Sequence, residues 1–228
     1  MRNKKQKINK KDILVKILCI ILSIIAGIIT NDIFIGGTLL ATGLLSRYLA
    51  YMGKRSNYIF GTANALIMAY IAFKNNLFGS FIGSAFIFAP LQAYGFFAWS
   101  RNLDKTKTVK IKKFTIKDSL IVTIGCALGG IIFGYILTLI PGQQLAFMDS
   151  TIACIDVCAI ILMNLRFREA WGLLVINGIL TIIIWTIAFA GGGENALMRL
   201  ITSVGFLIIN ICSLIKWSTS KKVKIEKF

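Results

Sequence analysis

Long apolar stretches separated by short polar segments run along the whole chain. About 20 mostly apolar residues are needed to cross about 30 Å of hydrocarbon at about 1.5 Å per residue. The apolar residues come in blocks of that order and not in the one-sided stripe of a soluble helix, so the pattern predicts eight membrane spans. Their expected ranges are 13–30, 33–52, 58–73, 77–99, 119–140, 148–164, 170–190 and 196–217. We therefore predict an all-α polytopic membrane helix bundle with no separate soluble domain.

Composition and charge support this prediction and place the two sides of the membrane. Hydrophobic residues make up 57% of the chain and charged residues 15%, well below the roughly one quarter of soluble domains. The net charge of +17 could suggest a nucleic-acid partner, but the lysines and arginines gather in alternate connections. The basic segments are 1–12, 52–57, 101–117, 165–169 and 218–228, whereas the other connections hold only Lys74 and Arg199. Because basic loops stay inside, we expect a bacterial cytoplasmic (inner) membrane protein with both termini cytoplasmic, membrane lipid as a partner and no nucleic acid.

An internal repeat divides the chain into two similar halves. Polar and aromatic residues of the third and fourth spans recur in the seventh and eighth spans, displaced by 113 to 118 positions. The matched pairs are Tyr58 with Trp171, Asn64 with Asn177, Gln92 with Asn210, and Trp99 with Trp217. Parallel repeats of this kind are a transporter architecture that holds substrate between the halves. The expected segments are 1–30 (basic N-terminus and extra helix), 31–101 (first three-helix bundle), 102–146 (basic loop and linker helix), 147–217 (second bundle) and 218–228 (basic tail).

Six polar or aromatic residues inside the spans are the candidate substrate-binding residues: Gln92, Trp171, Asn177, Asn64, Trp185 and Asn210. A polar group in hydrocarbon is unfavourable unless it faces protein, water or ligand. Carboxamide edges and indole faces together suit a planar ring carrying a sugar. The structural alternative is that the carboxamides only hydrogen-bond neighbouring helices. For Trp99 and Trp217, near span ends, we expect the role of interfacial anchors.

Two acidic residues, Asp149 and Asp156, fall on the same face of the sixth span. Such a pair could relay protons or bind a coupling cation, or could pair with Arg47 or Arg199, or line a wet vestibule. We favour a structural or vestibule role for Asp149, whereas the role of Asp156 stays open.

Several kinds of chemistry have no sequence signature here. The chain contains no Gly-rich phosphate loop, no histidine and no nucleophile elbow, so we expect neither ATP hydrolysis nor another enzymatic activity, and no cofactor. Cys154 and Cys158 lie one helical turn apart, but without histidine a metal site is not expected.

Residues in both halves, taken in order, resemble the PnuC-type transporters of nicotinamide riboside and related vitamins. The resemblance covers roughly 35–217. Its motifs are Lys54-Arg55-Ser56-Asn57-Tyr58, Pro90-Leu91-Gln92 with Gly95 and Trp99, Phe147-Met148-Asp149-Ser150, Glu169-Ala170-Trp171 with Asn177, and Asn210 with Trp217.

This resemblance implies a three-plus-one-plus-three fold related to the SWEET proteins, usually assembled as a homotrimer. It also implies facilitated diffusion of an uncharged or unphosphorylated precursor, which intracellular phosphorylation then traps. The family motif Trp-x-x-Trp-x-x-Asn matches Trp171 and Asn177, but Leu174 replaces its second tryptophan, and Ser213 stands where glycine is common. The resemblance makes nicotinamide riboside the expected substrate, and because Leu174 removes a stacking face, thiamine, riboflavin and deoxynucleosides are alternatives. A proton-coupled carrier using Asp156 and a membrane scaffold or channel are the other functions left open.

Overall fold

The computed structural model describes residues 10–104, 108–193, 195–220 and 224–225, which form eight long helices. Every helix begins and ends within three residues of the range predicted from the apolar pattern. The helices are α1 (Lys10–Ile29), α2 (Ile33–Tyr51), α3 (Asn57–Lys74), α4 (Phe78–Ser100), α5 (Ile116–Thr138), α6 (Ala146–Asn164), α7 (Ala170–Ala190) and α8 (Ala196–Ser218).

Seven of these helices are long and apolar enough to cross a membrane, with mean hydropathies from 1.4 to 2.6. The remaining helix, α3, has 18 residues and is about 27 Å long at 1.5 Å per residue. Asn57, Asn64 and Lys74 make it more polar than the others, but it packs between α2 and α4 inside the same bundle. The predicted fold class, an all-α membrane bundle of about eight helices, is confirmed.

Six of the helices form a closed ring. Going round the ring, α2 packs on α3, α3 on α4, α4 on α6, α6 on α7, α7 on α8, and α8 on α2. The helices α1 and α5 lie outside it, α1 against α2 and α8, and α5 against α6. The two three-helix halves therefore meet along two seams, α2–α8 and α4–α6.

The turns show the same repeat as the sequence. In the turn between α2 and α3, Gly53 has φ of 70°, and Arg166 in the turn between α6 and α7 has φ of 74°. Asn76 before α4 and Asn195 before α8 have φ of 54° and 57°. A left-handed residue other than glycine is uncommon. Its recurrence at matching places shows that the two halves use the same local geometry to reverse direction.

Helix α4 contains a wider π-helical turn over Gly83–Phe88, directly before Pro90. Proline has no N–H to give the preceding turn, and the Ala89 N–H bonds the Ser84 carbonyl, one residue further back than in an α-helix. In a π-helical turn the chain rotates by a smaller angle per residue about the helix axis than in an α-helix. Residues four apart along this part of α4 therefore lie on nearly the same face. Ser80, Ser84, Phe88 and Gln92 accordingly share one face of α4 and line the same cavity.

The basic connections meet at one end of the bundle, called the basic end below. The 108–115 segment crosses this end, where Val109 N donates to the Gly53 carbonyl at 3.0 Å and Lys112 N to the Arg166 carbonyl at 2.9 Å. Strand β1 (Lys112–Lys113) pairs in parallel with strand β2 (Lys224–Ile225). The connections that carry many lysines and arginines thus lie at one end of the described bundle, and the connections that carry few lie at the other end. The basic residues before position 10 lie outside the described residues.

Candidate functional site

A cavity of about 170 Å³ lies at the centre of the ring and is lined by all six ring helices. By the same measure one water molecule needs roughly 10–15 Å³, so the cavity has room for on the order of ten waters. This number of water molecules is of the same order as the number of heavy atoms in a small vitamin or nucleoside.

All six candidate residues from the sequence line this cavity: Asn64, Gln92, Trp171, Asn177, Trp185 and Asn210. Asn64 and Gln92 come from the first three-helix half, and the other four residues come from α7 and α8 of the second half. The structure brings the six together, and their contact with a substrate stays a prediction.

Three polar atoms of uncharged lining residues are buried and find no hydrogen-bond partner among the described residues. They are the Gln92 Oε1, the Trp171 Nε1 and the Tyr58 hydroxyl. A buried polar atom without a partner costs about 1–3 kcal/mol, and such atoms in a cavity are normally satisfied by water or ligand. Together they offer one acceptor, one donor and one hydroxyl to an occupant. Tyr58 was missed as a site residue, although its pairing with Trp171 in the repeat was a signal for it.

Two of the carboxamides are engaged in helix–helix hydrogen bonds. Asn64 Nδ2 donates to the Leu39 carbonyl at 2.8 Å, and Asn210 Nδ2 donates to the Leu174 carbonyl at 2.9 Å. The Asn210 Oδ1 also accepts from Arg47 Nη1 at 3.0 Å. These side chains line the cavity, but their amide donors already have the structural role that membrane carboxamides often have.

Asn177 lies on α7 and is 3% exposed. Its Oδ1 accepts a hydrogen bond from Thr181 Oγ at 2.8 Å, and its amide lies beside the Asp156 carboxylate. The Thr181 bond fixes the orientation of the carboxamide. Asn177 is therefore a preorganised polar group at the cavity wall.

The two acidic residues of α6 have separate environments. Asp156 lines the cavity together with Arg47 and Arg199. Asp149 does not line it and is fully buried, where its carboxylate accepts from Gly79 N at 2.9 Å and Ser80 N at 3.2 Å. Because α4 begins at Phe78, Asp149 satisfies free N–H groups of its first turn. This is the structural role favoured for Asp149, and the geometry gives no support to an Asp149–Asp156 relay.

The expectation that Trp99 and Trp217 are interfacial anchors is wrong. They are 0% and 2% exposed, and each packs edge-on against a cavity-lining ring: Trp99 against Tyr58 at 5.1 Å between centroids, Trp217 against Trp171 at 5.6 Å. The Trp99 Nε1 also donates to the Met163 carbonyl at 2.8 Å. A tryptophan near the end of a span can be either an interfacial anchor or a buried residue, and its position in the sequence does not distinguish the two. Here the four rings close the cavity toward the basic end.

Known membrane transporters are similar to this chain over most of its length. A family model described as nicotinamide mononucleotide transporter matches residues 33–219. The nicotinamide riboside transporter PnuC of Neisseria mucosa is 29% identical over 192 residues, which cover 82% of this chain and 73% of that relative. The Haemophilus influenzae transporter of the same name is 32% identical over 171 residues, covering 74% and 75% of the two chains.

A solved structure gives the same result in three dimensions. The crystal structure of the vitamin B3 transporter PnuC matches with a TM-score of 0.79 at 26% identity and covers 92% of this chain and 91% of that chain. Family model, relatives and fold agree with the ring of six helices around a polar cavity. The chain therefore belongs to the nicotinamide mononucleotide transporter family of membrane transporters.

Proposed function

We propose that this protein takes up nicotinamide riboside, or a closely related vitamin or nucleoside, by facilitated diffusion through the central cavity. The observation that supports this most is the set of unpartnered buried polar atoms around one cavity of ligand size. The two curated relatives described above are named as nicotinamide riboside transporters. Intracellular phosphorylation would then trap the substrate by making it charged.

Substrate contacts in this proposal come from Gln92, Trp171 and Asn177, with Asn64, Trp185 and Asn210 as a second set. Gln92 and Trp171 each have a polar atom without a partner among the described residues, and the Asn177 carboxamide lies between Thr181 and Asp156. The carboxamides would hydrogen-bond the sugar or the ring substituent, and the indoles would cover the ring faces.

Alternating access follows in this proposal from the two seams of the ring. The bundle 31–101 would rock against the bundle 147–217, opening the cavity to one side at a time. At the end opposite the basic end, Asp149 joins α6 to the start of α4. At the basic end, the Trp99–Met163 hydrogen bond crosses the same seam. Opening on either side would require one of these contacts to break while the other holds.

The location and assembly are also proposals. The basic end would face the cytoplasm across the inner membrane, since positive loops stay inside. The outer helices α1 and α5 expose apolar side chains such as Leu14, Ile29, Ile121 and Leu139. Such faces fit membrane lipid, and part of them fits the neighbouring copies of a homotrimer.

Leu174 supports keeping other substrates as alternatives. It is 8% exposed and lines the cavity, where a tryptophan would fill more of it. Thiamine, riboflavin and deoxynucleosides differ in ring size, so the space beside Leu174 would help to decide among them.

Binding to the purified protein tests this proposal. Calorimetry against nicotinamide riboside, thiamine, riboflavin and deoxynucleosides should show one class bound clearly better than the rest. The Gln92→Ala variant should weaken that binding about tenfold, because it leaves the ligand's donor unpaired. The matched control is Tyr94→Ala, two residues along α4 and facing outward at 61% exposure. If no ligand binds, or if both variants bind equally well, the proposal fails.

A second comparison separates facilitated diffusion from the proton-coupled alternative. Uptake into vesicles should have the same final level with and without a proton gradient. Accumulation above the outside concentration that depends on the gradient would favour coupling through Asp156.

A further inference from the structure

Arg199 in α8 is a buried cation whose guanidinium has no hydrogen-bond acceptor among the described residues. The residue is 7% exposed, its Nε is buried without a partner, and it lines the central cavity. Its Cζ lies 5.0 Å from the centroid of the Trp185 ring, which covers one face of the group but accepts no conventional hydrogen bond. A guanidinium has five N–H donors, and burying them unpaired is strongly unfavourable. The donors of Arg199 are therefore available to an occupant of the cavity.

The neighbouring charges do not satisfy these donors. Asp156 is attracted to both Arg47 and Arg199, but among the described residues no ion pair closer than 4.0 Å joins it to either. Arg47 is held elsewhere, by its bond to Asn210 and by the Phe206 ring 4.6 Å from its Cζ. The cavity is thus lined by two guanidinium groups and one carboxylate, and Arg199 is the guanidinium that donates no hydrogen bond to the described residues.

We propose that Arg199 is a specificity-determining residue that donates to a planar oxygen acceptor, a carboxamide or a carboxylate, on the ring of the transported molecule. A planar guanidinium fork matches such a group and can bind it through two parallel hydrogen bonds. Asp156, which lies beside the Asn177 amide but has no ion pair within 4.0 Å among the described residues, then faces the positive part of the ligand. A positively charged heterocycle with a carbonyl substituent, such as nicotinamide riboside, complements both residues at once.

This inference rests on the proposed function, since it assumes that the central cavity is the substrate site. It goes further by naming the ligand group that is recognised. An aliphatic sugar hydroxyl alone gives Arg199 one weak acceptor, whereas a purely cationic ring gives it none. The carbonyl substituent should therefore contribute much of the binding.

The test is calorimetry on the full-length purified protein with three ribosides. They carry a carboxamide, a carboxylate and no carbonyl group on the same pyridinium ring. The wild-type protein should bind the first two about 10- to 100-fold more tightly than the third, as expected for hydrogen bonds to a charged group. Arg199→Gln and Arg199→Lys should remove most of this difference and leave the affinity for the third riboside nearly unchanged. Arg55→Lys is the matched control, because Arg55 is exposed and outside the cavity.

The outcomes separate the two proposals. If the wild-type protein binds none of the three ribosides, the nicotinamide riboside assignment fails and this inference fails with it. If all three bind equally well to the wild-type protein, the cavity assignment stands and the role of Arg199 is wrong. If the Arg199 variants weaken all three ligands equally, Arg199 is a structural residue only. If one Arg199 variant does not fold, the other variant still tests the assignment, and the wild-type comparison can overturn it without either.

Discussion

Gly61 makes room for the carboxamide of Gln92. A Cβ atom at position 61 would lie 2.6 Å from both the Cδ and the Oε1 of Gln92, closer than any normal contact. The Gln92 side chain is flexible and borders the cavity, so it can move aside without unfolding the helix. The position of the carboxamide, and not the stability of α3, therefore depends on this glycine.

The first prediction at the residue scale is that Gly61→Ala weakens ligand binding about tenfold while the melting temperature stays the same or rises. Alanine displaces Gln92 but favours a helix over glycine by about 1 kcal/mol. Calorimetry and a thermal melt measure the two effects. Gly172→Ala is the matched control, since a Cβ there meets nothing within 4 Å. Equal affinities of the two variants would show that Gln92 does not contact the ligand.

A second prediction compares two buried tryptophans. Trp171→Phe removes an indole N–H that has no partner among the described residues, so it should weaken binding about 3- to 10-fold. Both Trp171→Phe and Trp99→Phe remove part of a buried ring, but Trp99→Phe also removes an N–H that donates to the Met163 carbonyl, so it should lower the free energy of unfolding by about 1 kcal/mol more. Paired melts and titrations check both. Loss of stability in Trp171→Phe without loss of affinity would contradict the proposed contact.

The candidate residues could be predicted from sequence because a polar side chain in an apolar span has few places to go. Gln92 and Asn177 were expected in a protein interior for this reason, and both line the cavity. What the chain alone did not reveal is which of their atoms are already bonded. Asn64 and Asn177 look alike in sequence, but the Asn64 donor is bonded to Leu39. The same limit applies to Arg199, whose lack of partners is a property of the packed structure.

At the scale of elements, the seam between α4 and α6 depends on the buried carboxylate of Asp149. It accepts from two backbone N–H groups at the start of α4 and from Gln143 Nε2 at 3.2 Å. Asp149→Asn puts an NH₂ group among these donors and should lower the free energy of unfolding by about 1–3 kcal/mol. Thermal melts measure the change.

Asp12→Asn is the comparison for that prediction. Asp12 pairs with Lys16 at 3.1 Å and with Lys54 at 2.8 Å, and both lysines are about a third exposed. Exposed pairs contribute about 0–1 kcal/mol. Melting temperatures that fall equally for the two variants would contradict the assigned role of Asp149.

Helix positions were predictable because membrane thickness imposes a length on each apolar stretch. The ends of α7, at Ala170 and Ala190, agree with the prediction to the residue. The π-helical turn of α4 was not predicted. The turn lies directly before Pro90 and packs against α3 and α6, and the apolar pattern carries no information on such packing.

At the scale of the whole molecule, the gathering of basic connections at one end predicts the orientation. Single cysteines placed at Lys110 and Gly192 in a protein otherwise free of cysteine should label differently in intact cells. A membrane-impermeant maleimide should react at position 192 and should reach position 110 only after the cells are opened. Labelling in the opposite pattern would reverse the proposed orientation.

The closed ring with two peripheral helices explains why a chain with 15% charged residues can hold a polar cavity in a membrane. Apolar side chains cover the outside of the described bundle, and polar groups of both halves meet at the centre. The central claim is that this cavity is the transport pathway. Uptake of labelled nicotinamide riboside into vesicles containing the purified protein tests it most directly, with Asn177→Ala compared with Ile176→Ala on the outward face of the same helix, where Ile176 is 52% exposed.

If the cavity is the transport pathway, we expect saturable uptake that Asn177→Ala reduces about tenfold and Ile176→Ala leaves unchanged. Uptake that does not saturate, or that the two variants affect equally, would contradict it.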